Sequence, residues 1–155
     1  MKEVLNDIKI AGGSVHLSSM SPTSGGTILE AETAISNGPQ KAAGSSAYTG
    51  TGYLDFNGAA DDSWAEWTFD APQAVTYILE IRYALEQGQY PARLKVNGKS
   101  VGNIVLWSTG GESTWAWDRK VVVLRKGTNT IRLTPGGTPL IDHLNVLYGG
   151  PVSDL

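Results

Sequence analysis

The sequence predicts an all-β fold, a β-sandwich of the jelly-roll type, and three observations carry that prediction. Short apolar or alternating runs recur along the 155-residue chain, with turn signals between them. No stretch of 11 or more residues has a helical period. The chain holds 19 glycines and 5 tryptophans but only 17% charged residues, the composition of a turn-rich β domain with aromatic side chains to spare.

The predicted strands are Ile28–Glu32, Gly52–Phe56, Trp64–Phe69, Thr76–Ala84, Arg93–Val96, Ser100–Leu106, Lys120–Leu124, Asn129–Leu133 and Ile141–Leu147. Alternation is clearest where Tyr77, Leu79, Ile81 and Tyr83 oppose Thr76, Ile78, Glu80 and Arg82. It recurs where Ala65, Trp67 and Phe69 oppose Trp64, Glu66 and Thr68. Asn97-Gly98 between two runs is a hairpin signal, and Lys126-Gly127-Thr128 is a second turn. Short strands at this spacing suggest a sandwich. Residues 1–26 read as a linker or N-terminal extension, 27–150 as the module and 151–155 as a tail. Ser18 to Gly26 is linker-like in composition. Ile8, Ile10, Val15 and Leu17 ahead of it fit an extra strand or part of a neighbouring domain.

The net charge of −3, with no basic cluster interleaved with aromatics, gives no nucleic-acid footprint. The absence of cysteine excludes disulfides, thiolate metal sites and cysteine nucleophiles. No run approaches the roughly 20 apolar residues of a membrane span. Met1 to Ile10 lacks the apolar region of a signal peptide, which leaves an excised module and a cytoplasmic protein both open.

Glu30 and Glu32 are the most informative residues. On a strand, positions i and i+2 share a face, about 7 Å apart. Like charges held side by side repel unless a cation lies between them or one is protonated. Hard oxygen ligands favour calcium. Asp142, near the other end of the chain, is the third candidate ligand. Two rival readings stand beside this one. The pair could be solvent-facing charge on an edge strand. It could also be a glycosidase's two carboxylates, although those usually come from different strands facing a cleft.

Other chemistry has little support. The chain has two histidines, His16 and His143, and no Gly-x-Ser-x-Gly elbow, which argues against a hydrolytic triad. His143 directly follows Asp142, so on a regular strand the two face opposite ways. Gly98-Lys99-Ser100 resembles the end of a phosphate loop, but Arg93 stands where its first glycine belongs. Asp61-Asp62 reads as a solvated turn. The aromatic loops are more telling. Residues 44–52 present Tyr48, residues 108–117 present Trp115 and Trp117, and residues 86–91 present Tyr90. An exposed ring covers the C–H face of a sugar while polar neighbours bond its hydroxyls. Trp115 and Trp117 could equally both be core residues, since i and i+2 share a face in extended chain.

Several motifs in order resemble the family 35 carbohydrate-binding modules, and more loosely family 6. They are Leu29-Glu30-Ala31-Glu32, Tyr48 to Phe56, Trp64-Ala65-Glu66-Trp67, Ile81-Arg82-Tyr83-Ala84, Val96-Asn97-Gly98-Lys99, Thr109 to Trp115, Lys126 to Leu133 and Pro139 to Leu144. The resemblance spans roughly residues 27–148. It implies a jelly roll with no catalytic activity, secreted as part of a larger enzyme. Such a module would hold a covalently linked catalytic domain to plant cell-wall or related polysaccharide, with neither nucleic acid nor membrane as partner. By resemblance, Glu30, Glu32 and Asp142 match a structural calcium site. Tyr48 and Trp115 match the sugar-binding aromatics, and Tyr90 and Arg93 lie in a loop bordering that site. One departure is Leu140, where relatives often place an asparagine that contacts sugar. Uronic acids, through a second calcium, or galactose-type units are the expected ligands. An adhesion module using its aromatic loops against protein is the remaining rival.

Overall fold

The computed structural model describes residues 7–10, 13–16 and 25–150. Its strands are β1 (Asp7–Ile10), β2 (Gly13–His16), β3 (Thr27–Glu30), β4 (Ile35–Asn37), β5 (Gln40–Ala42), β6 (Tyr53–Asp55) and β7 (Trp64–Ala71). These are followed by β8 (Thr76–Ala84), β9 (Gln89–Val96), β10 (Lys99–Trp107), β11 (Ala116–Val123), β12 (Gly127–Thr134) and β13 (Leu140–Gly150). Two antiparallel sheets form the sandwich. One runs β10-β9-β12-β7-β4, and the other runs β11-β8-β13-β6-β5 with β3 also paired to β13. β1 and β2 form a separate hairpin in which Ile8 opposes Val15. Leu17, most of the linker-like segment and the tail at 151–155 lie outside the described residues.

Alternation decides which side chains enter the core. Leu79, Ile81 and Tyr83 of β8 meet Ala65, Trp67, Leu94, Ile104, Leu106, Ile131 and Leu133 of the facing sheet, and all are buried. Each large aliphatic side chain so buried contributes about 1.5–3 kcal/mol. Tyr83 also ties the sheets together by hydrogen bonds. Its hydroxyl donates to the Trp107 carbonyl (2.9 Å) and accepts from the Trp107 amide (3.0 Å). The Asn97-Gly98 turn has positive φ at both residues, +53° and +82°, as a two-residue hairpin of this hand requires.

All nine predicted runs hold strands, and Thr76–Ala84 matches to the residue. The short strands β4 and β5 carry too little alternation to be read from sequence. Two expectations are corrected. Glu32 is not on a strand, because β3 ends at Glu30 and Ala31–Thr33 forms a single 3-10 turn. Asp142 and His143 do not face opposite ways. Against β8 the register steps from Ile141↔Tyr83 to His143↔Arg82, so Asp142 is the extra residue of a bulge.

Candidate functional site

The bulge and the 3-10 turn bring the first and last strands of the larger sheet to one place. Glu30 pairs with His143 across β3 and β13. Glu30, Asp142 and His143 each offer one ligand atom within 4.8 Å of the others. Residues 47–51 close over them. The Thr49 hydroxyl lies 2.9 Å from Glu30 Oε1, 3.1 Å from Asp142 Oδ2 and 2.9 Å from His143 Nδ1. The Thr49 amide donates to Asp142 (3.0 Å), and the Thr51 amide donates to Glu32 Oε2 (2.9 Å). Gly50, at φ +65°, passes between the two glutamates. A Cβ there would stand 2.3 Å from Glu32 Oε2 and 2.8 Å from Glu30 Cδ. Side-chain bulk is therefore excluded by the carboxylates themselves.

The electrostatics of this cluster are unbalanced. Burial pushes the Glu30 carboxyl above its ordinary range, the Thr49 hydrogen bond works against that shift, and Glu32 and Asp142 add repulsion. Asp142 is fully buried and ion-paired to Arg82, with Nη1 2.7 Å from Oδ2. Glu32 Oε1 is buried with no hydrogen-bond partner. A buried carboxylate oxygen left unmatched is costly unless something positive reaches it.

Beside this cluster lies a small aromatic one. Tyr48, half-buried, packs edge-on to Tyr53 at 5.5 Å between ring centroids, and Tyr53 packs edge-on to Trp115 at 5.8 Å. Leu140 and Ala84 complete the group. Leu140 thus fills apolar space beneath the rings. Trp115 is 5% exposed, and its Nε1 donates to the Ser46 carbonyl (2.7 Å). It is a wall of the cluster, and Tyr48 is the more open ring. Ser45 joins the two aromatic loops through the Glu112 carbonyl and the Ser113 hydroxyl. Asn57 donates to Asp55 (2.8 Å) and to Glu112 (2.9 Å), and all three are at least partly exposed.

Tyr90 and Arg93 are not part of this group. Both belong to β9 of the other sheet. Tyr90 lies against the backbone of Gly137, where an added Cβ would meet its ring at 2.3 Å. Arg93 points outward, since its neighbours Ala92 and Leu94 are the buried ones. Trp117 sits within β11, opposite Arg82.

Sequence reasoning missed Arg82, Thr49 and His143. Arg82 touches Asp142, the Ala47 carbonyl (2.7 Å) and the rings of Trp115 and Trp117, whose centroids lie 5.1 and 5.2 Å from its guanidinium carbon. Its place on the polar face of a clear alternating strand was visible, but its neighbours were not.

No protein-family model matches the chain. A cycloisomaltooligosaccharide glucanotransferase of Niallia circulans is 32% identical over 123 residues, which is 77% of this chain and 13% of that enzyme. The chain thus spans a small part of the curated relatives it matches. A family 35 carbohydrate-binding module from Clostridium thermocellum superimposes with a TM-score of 0.76 at 30% identity, covering 81% of this chain and all of that one. A second such module, from Paenibacillus barcinonensis, gives 0.75 at 34% identity over 80% of this chain, again covering all of its own. With the same two-sheet sandwich matched from end to end by modules at this identity, the chain belongs to the family 35 carbohydrate-binding modules.

Proposed function

We propose that this module is noncatalytic, binds a neutral sugar unit of galactose or glucan type at the Tyr48–Trp115 cluster, and is held in shape by a calcium ion. The aromatic cluster with its polar rim is the observation that supports the sugar site. Tyr48 offers a partly open ring backed by Tyr53 and Trp115; Ser45 donates to the Tyr53 hydroxyl and to the Glu112 carbonyl, and Asn57 links Glu112 to Asp55. That rim carries two carboxylates, while Arg93 lies on the other sheet. A uronate carboxylate would be repelled there. The second reading, uronic acid, therefore requires another cation at Asp55 and Glu112.

Calcium fits the donor set. Glu30, Glu32 and Asp142 would hold it through hard carboxylate oxygens, and the unpartnered Glu32 Oε1 marks the unmet charge. The ion would supply the positive charge that Glu30 lacks, and would join the first and last strands of its sheet. The glycosidase reading has less support. Glu32 opens onto a depression with Lys41 and Thr51, whereas Glu30 opens onto another beside Ile35 and Trp67. A hydrolytic pair has to face one cleft. The parent chain we infer is a secreted carbohydrate-active enzyme acting on plant cell-wall or related polysaccharide.

Calorimetric titration tests this. Galactose, mannose, isomaltotriose, glucuronic acid and galacturonic acid are titrated with calcium and with chelator. Binding of a neutral sugar in about the micromolar to millimolar range is expected. Binding of uronates alone would overturn the neutral-sugar assignment.

A further inference from the structure

Arg82 touches both clusters, Asp142 on one side and Trp115 on the other. It projects from β8 on the face shared with Trp117 of β11 and His143 of β13. One guanidinium nitrogen, Nη1, donates both to Asp142 Oδ2 and to the Ala47 carbonyl, each at 2.7 Å. The plane of the group lies near two indoles, Trp115 and Trp117. The side chain is 12% exposed, so these contacts are made largely out of water, where they are strong.

The chain it grips leads directly to the sugar surface. Ala47 has a positive φ of +66°, which alanine adopts only when surrounding contacts impose it. Tyr48 follows, and then Thr49, Gly50 and Thr51 engage the carboxylates. Thr49 and Thr51 attach the loop to the cluster by themselves. Trp115 meets that loop at the Ser46 carbonyl, and Arg82 adds the direct contact between its ring and Asp142.

A divalent cation drawn to Asp142 competes with the guanidinium for the same oxygen. Moving that nitrogen must also alter the Ala47 contact and the stacking on the indoles. We propose that Arg82 is the positioning residue that transmits cation occupation of the Glu30–Glu32–Asp142 cluster to the Trp115 wall of the sugar surface. This rests on the calcium reading above, and by linkage it makes sugar and cation affinity interdependent.

The test uses calcium alone as the probe. The protein is labelled with 5-fluorotryptophan, giving five fluorine resonances assigned by single replacements. Trp67 is an internal control, because its Nε1 donates to the Glu30 carbonyl (3.2 Å) without involving Arg82. Calcium is expected to shift Trp67, Trp115 and Trp117 in the wild type. In Arg82→Met, Trp67 still shifts, Trp115 and Trp117 stay fixed, and calcium affinity is unchanged or higher, since a competing charge is gone. Retained shifts at Trp115 in this variant would overturn the proposal, as would a tenfold loss of calcium affinity, which marks a merely structural role. Should Arg82→Met fail to fold, Arg82→Lys decides, because an ammonium can pair with Asp142 but cannot also span the indoles. It should bind calcium with most of the Trp115 shift lost, and a full shift would refute the proposal. If the wild type takes up no calcium, the ion assignment itself fails and this inference falls with it. A calcium response without sugar binding would leave Arg82's role standing while removing the sugar assignment.

Discussion

Gly50→Ala is the sharpest perturbation of the carboxylate cluster, and a second glycine calibrates it. Two costs add at position 50. A left-handed conformation costs a non-glycine residue about 1–2 kcal/mol. The new Cβ would also stand 2.3 Å from Glu32 Oε2, so a buried carboxylate would have to move. Forced repacking of this kind costs about 1–3 kcal/mol. Gly58 has the same backbone requirement, with φ +78°, but nothing lies within 4 Å of its Cβ position. Gly58→Ala therefore carries the conformational cost alone. The difference between the two variants isolates the carboxylate contribution, about 1–3 kcal/mol, or roughly 2–12 °C in Tm for a domain of this size. Thermal melts in chelator measure it, and calcium titration of both variants gives a second readout. Gly50→Ala should lose calcium affinity and Gly58→Ala should keep it. Equal melting temperatures and equal calcium affinity would show that the glutamates do not close on Gly50, and the cluster as described would be wrong.

Two further predictions separate the roles assigned to individual side chains. Tyr48→Ala should abolish sugar binding in calorimetry while lowering stability little, because the ring is only half-buried. Trp115→Ala should instead destabilise by about 3 kcal/mol, since it empties a nearly enclosed site. The opposite ranking of the two melts would reverse the assignment of ring and wall. The pH dependence follows from Glu30, whose carboxyl is raised chiefly by burial. The native state then holds its proton more tightly than the unfolded chain. In chelator, this group's contribution to stability falls as pH rises from the ordinary carboxylate value through the raised folded one. Calcium favours the ionised form, so its stabilising effect should grow across the same window. Melts between about pH 4 and 7 test both signs. If Glu30→Gln leaves the chelator slope unchanged, the titrating group is not Glu30.

Most of the sandwich was legible because its strands are regular where they are buried. β8 places Tyr77, Leu79, Ile81 and Tyr83 on one buried face, and the Asn97-Gly98 turn declares its own geometry. Legibility failed at the sheet edges. β4 and β5 are three residues each, too short for a period to show. It also failed for Trp115, because whether a loop tryptophan is a platform or a wall depends on what closes over it. Here Ser45, Ser46 and the 108–115 loop do so, through contacts between residues more than sixty positions apart.

The spacing argument that singled out Glu30 and Glu32 assumed a regular strand, and the structure departs from it there. Glu30 and Glu32 converge on Gly50 because the chain leaves the strand after Glu30 and turns through Ala31–Thr33. Asp142 joins them because a bulge adds one residue to β13, which also carries His143 to the same Thr49 hydroxyl. Both devices break the period of two, and a reading based on that period cannot see them. Regular pairing would have kept Asp142 and His143 on opposite faces. The irregularities therefore assemble the site, and they come as a pair. Deleting Asp142 would make Ile141↔Tyr83 and His143↔Arg82 consecutive pairs and keep the core alternation of β13 matched to β8 on both sides. The site would be lost while Leu144 and Val146 kept their places opposite Ile81 and Leu79 in the core. The bulge is an insertion between matched pairs, which is how a sandwich that needs strict alternation can still bring Glu30, Asp142 and His143 within 4.8 Å of one another, with Glu32 approaching the same loop at Gly50.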